Sequence, residues 1–267
     1  PCSPEADYGV FYIDALTYQP MCGAGTLSVA KALVETGMVK RVEPETKIVL
    51  ETPTGLVTVY VKWENHMVAS INLENVPAFL YRKDLHIDLA GYGDVSVDIG
   101  YGGNFFVLAD VHSLGLTITK DTVNLLRSLS KDILAAANKV IKVAHPTNPA
   151  INYLDQVLFC QNVPEEDGGY LAQCIFGDAQ ADISPCGTGT STRLAQRYFR
   201  GLIGLEETFV QKSVCGGAFH AKGLRETTLG GVPAIVPYVS CSDVHITGFN
   251  HLIVEENDKL KNGFVSW

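Results

Sequence analysis

The apolar residues of this chain follow a helical spacing in three places. Residues 26–36 place their apolar side chains on one face, and Gly37 follows them as a C-terminal cap. Residues 122–140 are amphipathic in the same way, and a third helix is predicted from Cys186 to about Arg200. The residues that share the apolar face are Leu27, Ala30, Leu33 and Val34 in the first helix and Leu125, Leu126, Leu129, Ile133, Leu134 and Ala137 in the second.

Between the helices the pattern changes to short segments rich in β-branched residues, which predict strands. A turn at Pro53-Thr54-Gly55 separates two of them and predicts a hairpin. The predicted strands cover residues 8–14, 47–51, 56–63, 66–73, 95–100, 104–109, 155–160, 170–176, 208–214, 219–224 and 234–239. Each half of the chain therefore contains strands, one helix that follows a glycine-rich motif, and more strands.

The glycine-rich motif occurs twice, as Cys22-Gly23-Ala24-Gly25-Thr26 and as Cys186-Gly187-Thr188-Gly189-Thr190. No Gly-Lys-Ser/Thr follows either copy, which argues against a nucleotide phosphate loop. A cysteine at a helix start lies beside backbone N–H groups that have no intrahelical acceptor, and this setting predicts a lowered thiol pKa. Two such thiols facing one cleft suit proton exchange at a stereocentre.

The other five cysteines are expected to be small buried hydrophobic residues, as free cysteines usually are. They are Cys2, Cys160, Cys174, Cys215 and Cys241.

Composition narrows the function classes further. The chain has 267 residues, 46% of them hydrophobic, which is enough for one large or two modest domains with a real core. Its net charge of −9 disfavours nucleic acid and anionic membrane surfaces as partners. The seven cysteines include no Cys-x-x-Cys, and the histidines show no metal-ligand spacing, so no metal is expected. Reduced thiols predict a cytoplasmic location.

These motifs carry a resemblance to the proline racemase family over essentially the whole chain. Asp182 followed by Ser184-Pro185-Cys186-Gly187-Thr188-Gly189-Thr190 resembles its second catalytic motif, and Pro20-Met21-Cys22-Gly23 resembles the first. Further similar stretches are residues 34–39, 75–79, 145–146 and 246–251. The resemblance implies an α+β fold with two similar domains, as in diaminopimelate epimerase. Each domain is a curved, mostly antiparallel sheet around a central helix, and the active-site cleft lies between the domains.

The resemblance also implies an activity, the interconversion of L- and D-proline without pyridoxal phosphate, metal or another cofactor. In this mechanism Cys22 and Cys186 act as the two catalytic groups, one a thiolate that removes the α-proton and the other a thiol that delivers a proton. The substrate is then a small molecule, and a homodimer is expected. The substrate-binding residues implied by the resemblance are Gly23, Ala24, Phe176, Asp182, Gly187 and Thr188.

Two of these residues concern the choice between proline and related imino acids, so two alternative functions stay open. Phe176 matches an aromatic wall typical of proline-specific members, whereas Ala24 stands where the family usually has a histidine that helps to bind the substrate amine. A 4-hydroxyproline 2-epimerase with the same mechanism is one alternative. A non-catalytic imino-acid-binding homologue, which would bind proline without exchanging its α-proton, is the other.

The resemblance further predicts how the chain divides into domains. Residues 1–115 are expected to form the first domain, completed by residues 245–267, and residues 116–244 the second. Members of the family carry several tens of residues before the position where this chain starts, so the first domain is expected to be incomplete at its N-terminus.

Overall fold

The computed structural model describes residues 1–14, 18–250 and 253–261, which form three α-helices and fifteen strands. The helices are α1 (Gly23–Glu35), α2 (Val123–Val140) and α3 (Gly187–Phe199). The strands are β1 (Tyr8–Gly9), β2 (Tyr12–Ile13), β3 (Tyr18–Gln19), β4 (Glu45–Thr52), β5 (Gly55–Glu64), β6 (Met67–Glu74), β7 (Phe79–Leu89), β8 (Gly93–Tyr101), β9 (Phe105–Asp110), β10 (Gln156–Cys160), β11 (Tyr170–Phe176), β12 (Gln180–Ala181), β13 (Phe209–Lys212), β14 (Ala218–Leu229) and β15 (Val232–Cys241).

All three predicted helices form where the apolar spacing places them. The predicted face of α1 is buried, and Gly37 ends the helix with a φ of 73° that favours glycine. In α2 the buried side is narrower than predicted, because Leu125 is 44% exposed. No helix in the described ranges is both long enough and apolar enough to cross a membrane.

Most strands match the predicted segments, but the predicted strand at residues 8–14 divides into β1 and β2, and the short β3 and β12 and the long β7 are additions. β4 and β5 pair across the turn at Pro53-Thr54-Gly55 and bury alternate residues, as a strand with one covered face should. β7 was not predicted from the sequence. Its pairing with β8 is irregular around Arg82 and Leu85, and Asp84 has a positive φ, so its apolar residues do not alternate regularly.

Twelve strands follow one hydrogen-bonded path in the order β1-β4-β5-β6-β15-β14-β13-β11-β10-β9-β8-β7. β12 pairs with β11 beside this path, and β2 and β3 form a separate ribbon. Most neighbours are antiparallel, and the parallel pairs are β1 with β4, β9 with β10 and β11 with β13. The predicted mixed α/β fold with a mostly antiparallel sheet is therefore confirmed.

The sheet curves until it nearly closes around α3. Backbone hydrogen bonds of 2.8 and 2.9 Å join Ala78, just before β7, to Ile235 in β15, although β7 and β15 lie seven steps apart along the path. Helix α3 packs against both sides of this ring, on β14 and β15 and on β7, β8 and β9, and residues 187–195 are all buried. Helix α1 instead lies on β5 and β6.

The division of the chain near residue 115 stays a prediction. Strands β7–β9 come before that position, and they surround α3 together with strands that come after it. Of the closing segment predicted to complete the first domain, residues 251–252 and 262–267 lie outside the described residues.

Candidate active site

The two cysteine motifs make the same capping hydrogen bond at two helix starts. Cys22 caps α1, and its Sγ accepts a hydrogen bond from the Gly25 N–H at 3.3 Å. Cys186 caps α3, and its Sγ accepts from the Gly189 N–H at the same distance of 3.3 Å. The sulfur takes the role that a serine or aspartate oxygen usually has at this position, because both offer an acceptor to the first turn.

The two helix starts meet through a contact between glycine backbones. A methyl group placed on Gly23 would lie 2.6 Å from the Gly187 Cα, and one placed on Gly187 would lie 2.7 Å from the Gly23 Cα. Real side chains do not approach backbone this closely, so glycine is required at both positions. This contact sets the separation of the two thiols and gathers the first N–H groups of both helices in one place.

Both thiols line one cavity of about 130 Å³ between the helix starts. A larger cavity of about 500 Å³ lies elsewhere, around Asp98 and Arg200, and contains neither motif. We take the smaller cavity as the candidate site because it holds two nucleophilic groups and two helix N-termini. Its lining consists of Gln19, Met21, Cys22, Gly23, Ala24, Asn104, Gln156, Cys174, Phe176, Asp182, Cys186, Gly187 and Thr188.

All eight residues predicted from the sequence lie in this lining, so the structure brings them together, while their individual roles stay predictions. Ala24 occupies the second position of α1, where the family histidine would stand. Phe176 ends β11 and packs with the small buried cluster around Cys186. The Thr188 hydroxyl lies 3.7 Å from the Cys186 Sγ.

The pKa of Cys22 differs in direction from the sequence prediction. The helix start was expected to lower it, but burial raises the pKa of Cys22 to about 11. The N–H of Gly25 lowers this pKa, whereas the nearby Cys186 and Asp182 raise it further. Loss of water around a thiolate therefore outweighs the N–H donors, and Cys22 is a neutral thiol at pH 7.

Asp182 directly follows β12 and lines the cavity close to the Cys186 thiol. Its Oδ1 accepts a hydrogen bond of 2.8 Å from the Ser184 N–H. Burial raises the pKa of Asp182, although hydrogen bonds from Ser184 and Cys186 act in the opposite direction. Cys186 itself has a positive φ of 64°, an uncommon backbone conformation for a residue with a side chain. Such strain is typical of functional positions.

Several lining residues were missed from the sequence because they come from distant segments. Asn104 donates from Nδ2 to the Met21 carbonyl at 2.8 Å and to the Thr188 Oγ1 at 3.3 Å, so it ties the two motifs together. Its Oδ1 is buried, with no hydrogen bond to it in the described part of the chain. Gln156 donates to Gln19 at 2.8 Å on another wall. No local motif marks these residues.

The remaining cysteines were predicted to be buried, and this prediction is only partly right. Cys160, Cys174 and Cys241 are buried, whereas Cys2 and Cys215 are exposed. Cys174 differs from the others because it lines the cavity beside Cys186, a contact that no local motif predicts.

Comparison with known proteins identifies relatives along almost the whole chain. The model of the family described as proline racemase matches residues 1–265. A trans-3-hydroxy-L-proline dehydratase of Burkholderia cenocepacia (strain HI2424) is 38% identical over 266 residues, which are 99% of this chain and 79% of that protein. A proline racemase of Clostridioides difficile is 38% identical over 265 residues, with the same coverage. The crystal structure of a hydroxyproline epimerase from Agrobacterium vitis with bound trans-4-hydroxy-L-proline matches with a TM-score of 0.89 at 30% identity, covering 99% of this chain and 75% of that one.

Proposed function

Since this chain belongs to the proline racemase family of isomerases, we propose that it interconverts L- and D-proline with Cys22 and Cys186 as its acid and base. The observation that carries this proposal is the pair of equivalent thiols, each capping a helix, on one small cavity. Racemisation needs a proton removed from one face of the α-carbon and another delivered to the opposite face. Two matched thiols at converging helix starts suit this requirement.

The proton transfers follow from the groups that line the cavity. One sulfur, as thiolate, takes the α-proton of proline while the other, as thiol, gives its proton to the opposite face. The two exchange roles in the reverse direction, so the pair titrates as a coupled unit. Cys22 is the protonated partner before substrate binds, because burial raises its pKa to about 11. It therefore acts first as the acid.

The negative charge that develops during proton removal lies mainly on the substrate carboxylate. The N–H groups of Gly23, Ala24, Gly187 and Thr188 belong to the first turns of α1 and α3, where no intrahelical acceptor exists. A carboxylate placed between them would accept hydrogen bonds from both helices, a setting that stabilises anions. Asp182 then serves as the partner of the substrate's ring ammonium, whose charge favours the aspartate anion.

The wall of the cavity favours proline over its hydroxylated relatives. Phe176 lines the cavity, where an aromatic ring suits an apolar pyrrolidine ring, and the volume of about 130 Å³ suits a small imino acid. A second candidate is a 4-hydroxyproline 2-epimerase. It is favoured by the hydrogen-bonded pair Gln19 and Gln156 in the same lining, because a side-chain amide can donate a hydrogen bond to a ring hydroxyl or accept one from it.

The test is exchange of the substrate α-proton in heavy water, followed by NMR, together with optical rotation. L-Proline, D-proline, trans-4-hydroxy-L-proline and trans-3-hydroxy-L-proline are compared at equal concentration. Proline should exchange fastest and lose its rotation. Thermal stabilisation by proline without exchange would instead indicate the non-catalytic binding homologue, and loss of water from the 3-hydroxy substrate would indicate a dehydratase.

Variants of the two thiols test the mechanism within the same assay. Cys22→Ser and Cys186→Ser should each lower the racemisation rate by at least about 10³-fold, because each thiol is needed for one proton transfer. Cys215→Ser is the matched control, since that thiol is exposed and outside the cavity. Near-parental turnover in both directions by either active-site variant would exclude the two-thiol mechanism.

A further inference from the structure

The second thiol has two neighbours that are also good metal ligands. The Sγ of Cys174, the Sγ of Cys186 and a carboxylate oxygen of Asp182 all lie within 4.8 Å of one another. We propose that these three side chains form a binding site for a thiophilic divalent metal ion such as Zn²⁺ or Cd²⁺, and that the bound ion inhibits the enzyme. The binding depends only on these three side chains, whereas the inhibition rests on the proposed function.

The ligand set selects the class of metal. Two sulfurs and one carboxylate oxygen suit Zn²⁺ and Cd²⁺, whereas Mg²⁺ and Ca²⁺ require oxygen ligands. Zinc bonds of about 2.3 Å to sulfur and about 2.0–2.2 Å to oxygen in a tetrahedron place ligand atoms roughly 3.5–3.8 Å apart. The three atoms therefore need to move by about 1 Å or less, and water can supply the fourth ligand.

The backbone holds the three ligands in place before any ion binds. The Asp182 N–H donates to the Cys174 carbonyl at 3.0 Å, and Gln173 Nε2 donates to the carbonyls of both Cys174 and Asp182, at 3.0 and 2.8 Å. Strands β11 and β12 pair directly beside them, and Cys186 is fixed by the start of α3. A site with this degree of order loses little conformational entropy when the ion binds.

The buried thiols of the cluster also favour a divalent cation as a partner. Cys174 and Cys186 are almost fully buried, at 2% and 6% exposed, so thiolates there are costly without a positive partner. Their hydrogen bond, together with burial, holds the pKa of Cys174 well above its usual range. A divalent ion replaces the shared protons. Two sulfur–metal bonds and one oxygen–metal bond form, and the thiol protons pass to the solvent.

Inhibition follows from the identity of one ligand. Cys186 is one of the two proposed acid/base thiols, and a thiolate bonded to a divalent ion is a much weaker base, because the metal withdraws electron density from the sulfur that must take the α-proton. Asp182 would be withdrawn from the substrate ammonium at the same time. The ion therefore competes with the substrate for two groups of the site, and a chelator should restore activity.

Metal binding is tested by direct titration of the reduced 267-residue chain, without reference to activity. The reference protein carries Cys2→Ser and Cys215→Ser, so that the two exposed thiols do not bind metal. Co²⁺ is titrated and followed by its thiolate charge-transfer absorption, and Zn²⁺ is then used to displace it. One ion per chain is expected, with proton release detected by calorimetry in buffers of different ionisation enthalpy.

Variants identify the ligands. Cys174→Ala should weaken Zn²⁺ binding at least about 100-fold. Loss of a residue that only orients a metal ligand typically lowers the affinity by about 10–100-fold, so a larger loss marks Cys174 as a ligand itself. Two controls should bind as the reference does. Cys22→Ala removes a thiol of the same cavity outside the cluster, and Cys160→Ala removes a buried thiol of the adjacent strand. Undiminished binding by Cys174→Ala, or loss of binding in Cys22→Ala, would overturn the proposal.

A measurement on the reference protein itself covers the case in which Cys174→Ala fails to fold. Zn²⁺ should protect Cys174 and Cys186 from alkylation while leaving Cys22 reactive, and equal protection or none would overturn the site. Inhibition is measured separately, by α-proton exchange with Zn²⁺ and then with chelator. A chain that exchanges no proline even without metal would refute the proposed function alone, because binding and protection remain measurable.

Discussion

The contact between Gly23 and Gly187 should respond sharply to a single added methyl group. In Gly23→Ala the new Cβ would lie 2.6 Å from the Gly187 Cα, 3.0 Å from its carbonyl carbon and 3.3 Å from the Thr188 nitrogen. These neighbours are backbone atoms at the start of a buried helix, so they cannot rotate away. The two helices must separate instead, which typically costs about 1–3 kcal/mol of unfolding free energy. For a chain of this size that corresponds to a drop in Tm of roughly 2–12 °C.

Gly187→Ala should have the same effect, because its Cβ would lie 2.7 Å from the Gly23 Cα. The double variant should lose less than the sum of the two, by at least about 0.5 kcal/mol, since helices already separated by one methyl group accommodate the second. Racemisation should fall by about 10²-fold or more in each single variant, because a displacement of about 1 Å misaligns both thiols with the substrate.

Thermal and urea unfolding measure the stability, and proton exchange measures the activity. Gly204→Ala is the matched control, since the nearest atom to its Cβ belongs to the Glu207 side chain at 3.6 Å, and it should stay within about 0.5 kcal/mol of the parent. If Gly23→Ala and Gly187→Ala unfold at the same temperature as this control, the helix starts are not in the close contact on which the reasoning depends.

Three further predictions concern single side chains. Alkylation of Cys22 by iodoacetamide, measured by peptide mass spectrometry, should accelerate about tenfold per pH unit from pH 7 to 10, because burial raises the pKa of Cys22 to about 11 and only the thiolate reacts; a rate that levels off by pH 8 would contradict this. Ala24→His should lower KM for proline by up to about tenfold, about 1.4 kcal/mol, by supplying a polar partner for the substrate amine; an unchanged or higher KM in the folded variant would mean that alanine suits the bound substrate. Asp98→Asn should cost about 1–3 kcal/mol in urea unfolding at pH 7, because it removes the charge of the buried Asp98 carboxylate from its hydrogen bonds with the partly exposed Arg200, whereas Asp94→Asn, at an exposed position, should cost little. Burial acts to raise the pKa of Asp98, but hydrogen bonds, led by those from Arg200, outweigh it, so the pKa is lowered. The ion pair therefore stabilises the folded protein above the ordinary value of 3.8, and this stabilisation is lost as the pH falls through the lowered pKa. At that acidic pH the cost of Asp98→Asn should shrink.

The sequence alone determined the features that depend on neighbours along the chain. The apolar spacing of α1, its glycine cap and the β4–β5 hairpin follow from local periodicity and turn chemistry, and the structure confirms all three. The two cysteine motifs likewise form equivalent caps, because a cap involves only the three or four residues that follow it. Seven of the eight predicted site residues lie within five residues of a motif cysteine and keep their place beside it for the same reason, whereas tertiary structure brings the two motifs together at one cavity.

Tertiary structure decided what depends on residues far apart in the chain. The closing of the sheet around α3 joins Ala78 to Ile235, and this pairing leaves no mark in either segment. The same closure brings Asn104 and Cys174 to the cavity beside motifs from other parts of the chain. It also reverses the expected pKa shift of Cys22. A helix start favours the thiolate locally, but the surrounding elements exclude water from it, and desolvation is the larger effect.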